Sequence, residues 1–281
     1  MLLLAFLCLS PFLQSCFAEY EAILPAWPSE LTNAKNRNTL RLERAGRPVT
    51  IPVENIKKME NVPLSSLSTS NPNIRSMIID THNSLRKIVN PPARNMLKMV
   101  WNDEAARTAD NYAKMCLPNH SEQNLRKITN FNCGENLFMS TFKASWDDVI
   151  KSFYSEVVDF EYGKGAKTPG VEIGHYTQLT WATSRQVGCA INYCANNNLP
   201  YRFVCHYCPP GNNLSSMGYP YKSGPTCGDC PAACDNGLCT NYCSYQDWFS
   251  DCFKYYHGQQ CDASLEKDCP ATCKCTNKEI K

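Results

Sequence analysis

Charge is scarce in this chain. Lys and Arg number 28 against 26 Asp and Glu, so 19% of the 281 residues are charged and the formal net charge is +2. Soluble proteins average about 25%. No basic stripe is present, which removes the electrostatic term that binds nucleic acid and excludes that class of partner. Long apolar runs are scarce too. The one example is residues 1–18, and the mean hydropathy is −0.40, which excludes a polytopic membrane protein. Cysteine is missing between residues 17 and 115 although the chain has 18. Any covalent framework must therefore lie after that point.

The 31.7 kDa chain suits one or two domains by length. Its first segment, MLLLAFLCLSPFLQSCFA, carries no charge before Glu19. It is short for a spanning helix, Pro11 interrupts it, and it ends in Cys16-Phe17-Ala18. We read it as a secretory signal peptide cut after Ala18, without the usual basic start, against the competing reading of a signal anchor. Cleavage removes Cys8 and Cys16 and leaves sixteen cysteines. An even number in an oxidising compartment predicts eight disulfides and a secreted, extracellular protein. A zinc ribbon from Cys205-x-x-Cys208 and Cys227-x-x-Cys230 would need free thiolates there, so we set it aside.

Residues 19–71 are polar and free of sustained periodicity, which predicts an extended or disordered extension, with Arg41-Leu-Glu-Arg44 a candidate processing site. Order is expected from about residue 72. Ile74, Met77, Ile78, Thr81, Leu85 and Ile88 recur at three and four residues, the spacing of an amphipathic helix that ends before Pro91-Pro92. A second helix follows an Asn102 cap, with Ala105, Ala106, Ala109, Tyr112, Ala113 and Cys116 on one face. A third starts at Ser145 and buries Trp146, Val149, Ile150, Phe153 and Val157. The period then changes to two. Ile173, His175, Thr177, Leu179 and Trp181 predict one strand, and 187–194 and 201–208 predict two more.

Centring the last hairpin on Asn197 sets Cys189 opposite Cys205, within disulfide reach. Cys194 and Cys208 then face the other way, and Cys116 and Cys133 are the cysteines left nearby for them. Helices first, then an antiparallel sheet, predict an α+β layered domain over 72–213. A Ser/Gly/Pro/Tyr-rich linker is expected at 214–226. Ten cysteines between 227 and 275 predict a disulfide scaffold in place of an ordinary core.

Four motifs carry a family resemblance: His82-Asn-Ser-Leu-Arg86, Gly134-Glu-Asn-Leu137, Gly174-His-Tyr-Thr-Gln-Leu-Thr-Trp181 and Cys205-His-Tyr-Cys-Pro-Pro-Gly-Asn212. With the cysteine spacing, residues 72–281 resemble the vertebrate cysteine-rich secretory proteins of the CAP superfamily. Thr180 departs from the usual aliphatic residue before the tryptophan, and the 19–71 extension is longer than the family leads one to expect. The resemblance implies a CAP-type α-β-α sandwich, a disulfide hinge within 214–242, and a small helical cysteine-rich domain at 243–281. It implies the pairs Cys116–Cys194, Cys133–Cys208, Cys189–Cys205, Cys227–Cys234, Cys230–Cys239, Cys243–Cys275, Cys252–Cys269 and Cys261–Cys273.

It also implies a cleft of two histidines and two glutamates, which fall on His120, Glu135, Glu156 and His175. On the residues themselves, Glu156 edges an apolar helix face and His175 shares a face with Leu179 and Trp181. A polar group there needs a partner or costs ~1–3 kcal/mol. Two imidazoles and two carboxylates suit weak zinc binding through His120 and His175, or else a metal-free hydrogen-bonded quartet. No Ser or Cys stands out as a nucleophile. Ser121 is notable for adjacency to His120 alone, so we expect no enzyme, with a metal-dependent hydrolase as the alternative. His82 reads as a structural anchor. His206 and His257 carry no site signal. Asn119-His-Ser and Asn213-Leu-Ser are glycosylation sequons.

Trp248, Phe249, Phe253, Lys254 and Tyr255 lie where little core is available, so some must be exposed as a candidate channel-binding face. The resemblance implies a binding protein acting on ion channels or other cell-surface proteins, in the reproductive tract and gamete interaction, gland secretion or venom. Membrane lipid or sterol carriage is a further alternative. A monomer is the default.

Overall fold

The computed structural model describes residues 39–44, 47–52, 56, 58–59, 61–249, 251–256, 261–276 and 278–281. The expected signal peptide and His257 lie outside the described residues, as does the Phe253 side chain.

Strands β1 (Thr39–Arg44) and β2 (Arg47–Pro52) pair antiparallel. Helix α1 (Pro72–Lys87) starts where the Asn71 side chain accepts the Asn73 N–H, with Pro72 at a position whose missing donor is not needed. The short β3 (Val100–Trp101) leads into α2 (Asp103–Met115), capped by Asn102 and carrying Asp103 and Glu104 in its first turn. Strand β4 (Gly134–Ser140) precedes α3 (Trp146–Tyr154), capped by Ser145. The one-and-a-half-turn α4 (Gly174–Leu179) leads to β5 (Gln186–Tyr193) and β6 (Tyr201–Cys208).

The main sheet has the order β3-β5-β6-β4, antiparallel except for β3 against β5. Side chains alternate across it. Phe203, Cys205 and Tyr207 of β6 face Ile78 and Leu85 of α1 and Trp146, Val149, Ile150 and Phe153 of α3. Val204 faces Ala109, Tyr112 and Ala113 of α2. The result is the α-β-α sandwich. Gly188 of β5 is required by this packing, because a Cβ there would stand 2.1 Å from the Ala106 nitrogen of α2.

Cys189 lies opposite Cys205 in the β5–β6 register and is bonded to it, on the α1/α3 face. Cys116–Cys194 and Cys133–Cys208 staple the side that carries α2. The hinge holds Cys227–Cys234 and Cys230–Cys239. In the last domain Cys243–Cys275, Cys252–Cys269 and Cys261–Cys273 tie α5 (Cys252–Tyr255), α6 (Ala263–Asp268) and α7 (Pro270–Lys274). Among the described residues no helix is long and apolar enough to cross a membrane.

Three expectations change. Residues 174–179 form a helix, not a strand. Six residues are too few to display a 3.6-residue period, and the segment is held by tertiary bonds such as Gly211 N–H to Gln178 Oε1 at 3.0 Å. Second, the extension is not featureless. Leu40 and Leu42 pair with Ile51 and Val49, Ile56 and Leu67 enter the main core, and Met59 N–H bonds Lys143 O at 2.8 Å. Order therefore begins before residue 72. Third, the expected linker is packed against the body. Tyr221 is buried with Val89, Met96 and Leu238, and Ala182 N–H donates to Pro220 O.

Candidate functional site

Adjacent residues at the start of the edge strand β4 serve opposite faces of the sheet. Glu135 faces the α2 side and Asn136 the other. Gly134 before them has no room for a Cβ, which would fall 1.9 Å from Gln178 Oε1 of α4. The strand start and α4 are therefore in direct contact.

On one side, His120 Nδ1 lies 2.7 Å from Glu135 Oε1. The same oxygen accepts the Ser121 N–H at 2.9 Å, and Oε2 accepts the Ser121 hydroxyl at 2.8 Å. A third residue completes the set. His206 Nε2 lies 3.0 Å from Glu135 Oε2, and its Nδ1 lies 2.8 Å from Thr108 Oγ1 of α2. Burial alone would raise the Glu135 carboxyl; the hydrogen bonds from His120, His206 and Ser121 outweigh it and hold the group well below the usual carboxylate range. Burial also lowers His206, so its imidazole is neutral at neutral pH. Its Nε2–H then donates to Glu135, while its Nδ1 accepts from the Thr108 hydroxyl, whose single proton it shares with Ala105 O at 3.0 Å.

On the other side, Glu156 sits in the 3-10 turn Ser155–Asp159 that follows α3. Its Oε2 accepts the N–H groups of His175 and Tyr176 at 2.9 and 3.1 Å, donors left free at the start of α4. Its Oε1 lies 2.7 Å from His175 Nδ1. Phe153 stacks on the imidazole at 5.0 Å, and Asn136 Nδ2 donates to His175 O at 3.1 Å.

Both arms obey one rule. An ionised carboxylate only accepts, so His120 and His175 each carry the proton on Nδ1. A neutral ring of this tautomer keeps a lone pair on Nε2, and neither Nε2 has a hydrogen bond among the described residues. His120 is half exposed and the His175 side chain is 14% exposed, so solvent reaches both rings. Carboxylate-backed imidazoles with bare Nε2 atoms are the donors that suit zinc. The structure forms two separate His–Glu groups, His120 and His206 on Glu135 and His175 on Glu156. Among the described residues, the one group of three or more such donors within 4.8 Å of one another is Cys227, Cys230 and Cys239. Those three sulfurs belong to the two hinge disulfides and offer no thiolate.

Ser121 is a clamp. Its hydroxyl donates to Glu135 and accepts from Arg126 Nη1 at 3.1 Å, and no imidazole nitrogen bonds it. His82 is fully buried between Ile78 O and the Tyr207 hydroxyl, at 2.8 and 2.9 Å. Asn119 and Asn213 are exposed, and Asn213 Oδ1 accepts from Ser215 N–H and Oγ–H. In the C-terminal domain Trp248, Phe249 and Tyr255 are exposed, as is Lys254.

His206 is the residue that sequence reasoning missed. A signal was present. An antiparallel pairing that sets Cys133 level with Cys208 also sets Glu135 level with His206, the pairing observed between β4 and β6.

Residues 79–207 match the family described as CAP, the cysteine-rich secretory protein family, and residues 227–280 match the family described as Crisp. Among solved structures, the crystal structure of NaASP2 with Zn2+ is similar at 31% identity and a TM-score of 0.50, over 60% of this chain and 96% of that one. The crystal structure of Na-ASP-1 is similar at 29% identity and a TM-score of 0.50, over 59% of this chain and 46% of that one. The structure of Schistosoma mansoni venom allergen-like protein 4 gives 25% identity and a TM-score of 0.45, over 54% of this chain and 95% of that one. Sandwich, disulfide register and both matched stretches agree: the chain belongs to the cysteine-rich secretory protein family, a CAP domain followed by a Crisp domain.

Proposed function

We propose that this is an extracellular binding protein whose C-terminal domain engages ion channels, with the CAP domain as its rigid support. The observation that carries the reading is the aromatic exposure of residues 248–256. Phe249 and Tyr255 are 56% and 62% exposed, and Trp248 and Tyr256 are exposed beside them. The domain's own buried cluster is Cys243, Ala271 and Cys275, too small to take these rings in. Trp and Tyr are residue types that dominate binding energy at protein interfaces, and Lys254 is exposed beside them. Patch-clamp recording of calcium and potassium currents tests this. The secreted protein should modulate a current, and the Trp248→Ala/Lys254→Ala/Tyr255→Ala variant should lose that effect while keeping its circular dichroism spectrum. An unchanged effect from the variant would sink the assignment.

A second reading concerns the cleft. His120 and His175 would hold one divalent ion through Nε2, with Glu135 and Glu156 orienting the rings and solvent completing the coordination. A zinc ion there supplies Lewis acidity or a structural cross-link. The support is the shared carboxylate-backed arrangement of the two arms, beside the fact that the similar NaASP2 has been solved with Zn2+. Calorimetry should show zinc binding by the full chain that His120→Ala and His175→Ala each weaken at least tenfold. Ser121 is committed to Glu135 and Arg126 and is not offered as a nucleophile in this reading. A groove of about 550 Å³ lies between α1 and α3, with Asp80, Thr81, Asp147 and Lys151 among its lining residues.

A further inference from the structure

The two arms of the cleft are held differently. Glu156 is fixed by backbone: the N–H groups of His175 and Tyr176 grip Oε2, and the ring it orients belongs to the same helix turn. Glu135 is fixed mainly by side chains. His120 lies outside any helix or strand after α2, half exposed, and cannot anchor the carboxylate itself. The Ser121 N–H and hydroxyl hold one donor on each oxygen, and the remaining interior donor is His206 Nε2–H. His206 is fully buried, lies opposite Glu135 in the β4–β6 register, and is backed by Thr108 Oγ1 at 2.8 Å.

We propose that His206, braced by Thr108, is a positioning residue. It locks the rotamer of Glu135, and Glu135 in turn holds the His120 proton on Nδ1 and keeps Nε2 bare. The chain of contacts is Thr108 hydroxyl to His206 Nδ1, His206 Nε2–H to Glu135 Oε2, and His120 Nδ1–H to Glu135 Oε1. Each link has one donor and one acceptor, and no other arrangement of a neutral His206 satisfies all three. Without His206, Oε2 keeps the Ser121 hydroxyl alone, the carboxylate turns toward it, and His120 is free to carry its proton on either nitrogen. The effect falls on the His120 arm, because the bonds of Thr108, His206 and Glu135 are a separate set from those that join Glu156 to His175 and Tyr176. The consequence for metal rests on the zinc reading of the cleft; the consequence for the tautomer does not.

The test has a metal-free and a metal arm on the full secreted chain. Nitrogen-15 NMR of the imidazoles should show His120 as the Nδ1–H tautomer in the parent. His206→Val should give a mixture at His120 and leave His175 unchanged. His206→Gln, whose amide can donate to Glu135 from the same strand position, should restore the Nδ1–H form. In zinc chloride titrations His206→Val should weaken binding by about 10-fold or more, the usual effect of losing an outer-shell partner, and His206→Gln should recover most of it. Thr108→Val provides a milder variant if His206→Val does not fold, and should shift the same His120 signal partway. A His120 tautomer indifferent to His206→Val, or to Thr108→Val where that variant stands in, overturns the proposal. So does equal movement of His175, which would indicate general loosening. If the parent binds no zinc while His120 still follows His206, the zinc reading fails and the positioning role stands.

Discussion

His82 and Arg86 show how much of a family motif is structural. Arg86 is fully buried and has no carboxylate partner among the described residues. Its five hydrogen bonds run to the carbonyls of Leu97, Leu179, Trp181 and Ala182, which ties two segments of the chain to α1. Burial pulls its guanidinium down to about 9. One turn earlier, Asn83 binds both backbone groups of Met99. Burial lowers His82 to about 4. Below the ordinary histidine value near 6.5 the unfolded chain takes up a proton that the folded chain refuses. Stability is therefore full above about pH 6.5 and declines as pH falls toward about 4, by about 3 kcal/mol for His82 alone. His206, also lowered by burial, adds to the same decline. We expect denaturation midpoints to fall over this window, and His82→Gln to remove about one proton from the slope. An unchanged slope would show that His82 is not what titrates.

At the scale of elements, close approach replaces bulk. The α2 face against the sheet is Ala105, Ala109 and Ala113, small residues that let helix and strand backbones nearly touch at Gly188. A methyl group there meets Ala106 N, Ala105 C and Asn102 O at 2.1–2.6 Å, all backbone. None of these atoms can rotate away. Gly188→Ala should therefore cost at least the ~1–3 kcal/mol of an overpacked core and lift the start of α2, including its Asn102 cap. Urea denaturation measures the loss, and hydrogen exchange should show it concentrated in residues 103–108. A variant as stable as the parent would mean that α2 can shift freely. Thr108 rides on this helix, so the same substitution should disturb the His206 link.

Over the whole molecule the hinge belongs to the CAP body. Cys239 N–H donates to Met96 O and Lys98 N–H to Cys239 O, while Leu97 packs on the two hinge disulfides and Ile280. Arg185 lies between the rings of Phe131 and Tyr242, 5.4 and 3.8 Å from their centroids, and joins the body to the start of the last domain. A truncation after Asn213 strips Tyr221 and Leu238 from a buried cluster. It should lower the melting temperature well below that of a truncation after Tyr242, which removes from these two clusters Ile280 alone. Differential scanning calorimetry of the two fragments checks this. Equal melting temperatures would return 214–242 to the status of a linker. The cut after Tyr242 is thus the proper one for assigning channel effects to the C-terminal domain.

What the sequence determined by itself is local or covalent. Caps at Asn102 and Ser145, helix faces with a 3.6-residue period and the alternation of the last two strands are readable, because each is set by neighbours within a few residues. The Cys189–Cys205 pair follows from the same strand arithmetic, and the cysteine spacing carried the family. The tertiary structure decided the rest. Residues 174–179 alternate like a strand yet form a helix, since Glu156, Asn212 and Gly211 supply its end bonds from distant parts of the chain. His206 looked like one more buried strand residue until β4 lay beside β6 and brought Glu135 opposite. The 214–226 segment has a linker's composition, and only the surface it covers makes Tyr221 a core residue. Residues whose partners lie well beyond the next turn or hairpin leave no periodic trace, because their free energy comes from contacts that exist only once the tertiary structure has formed.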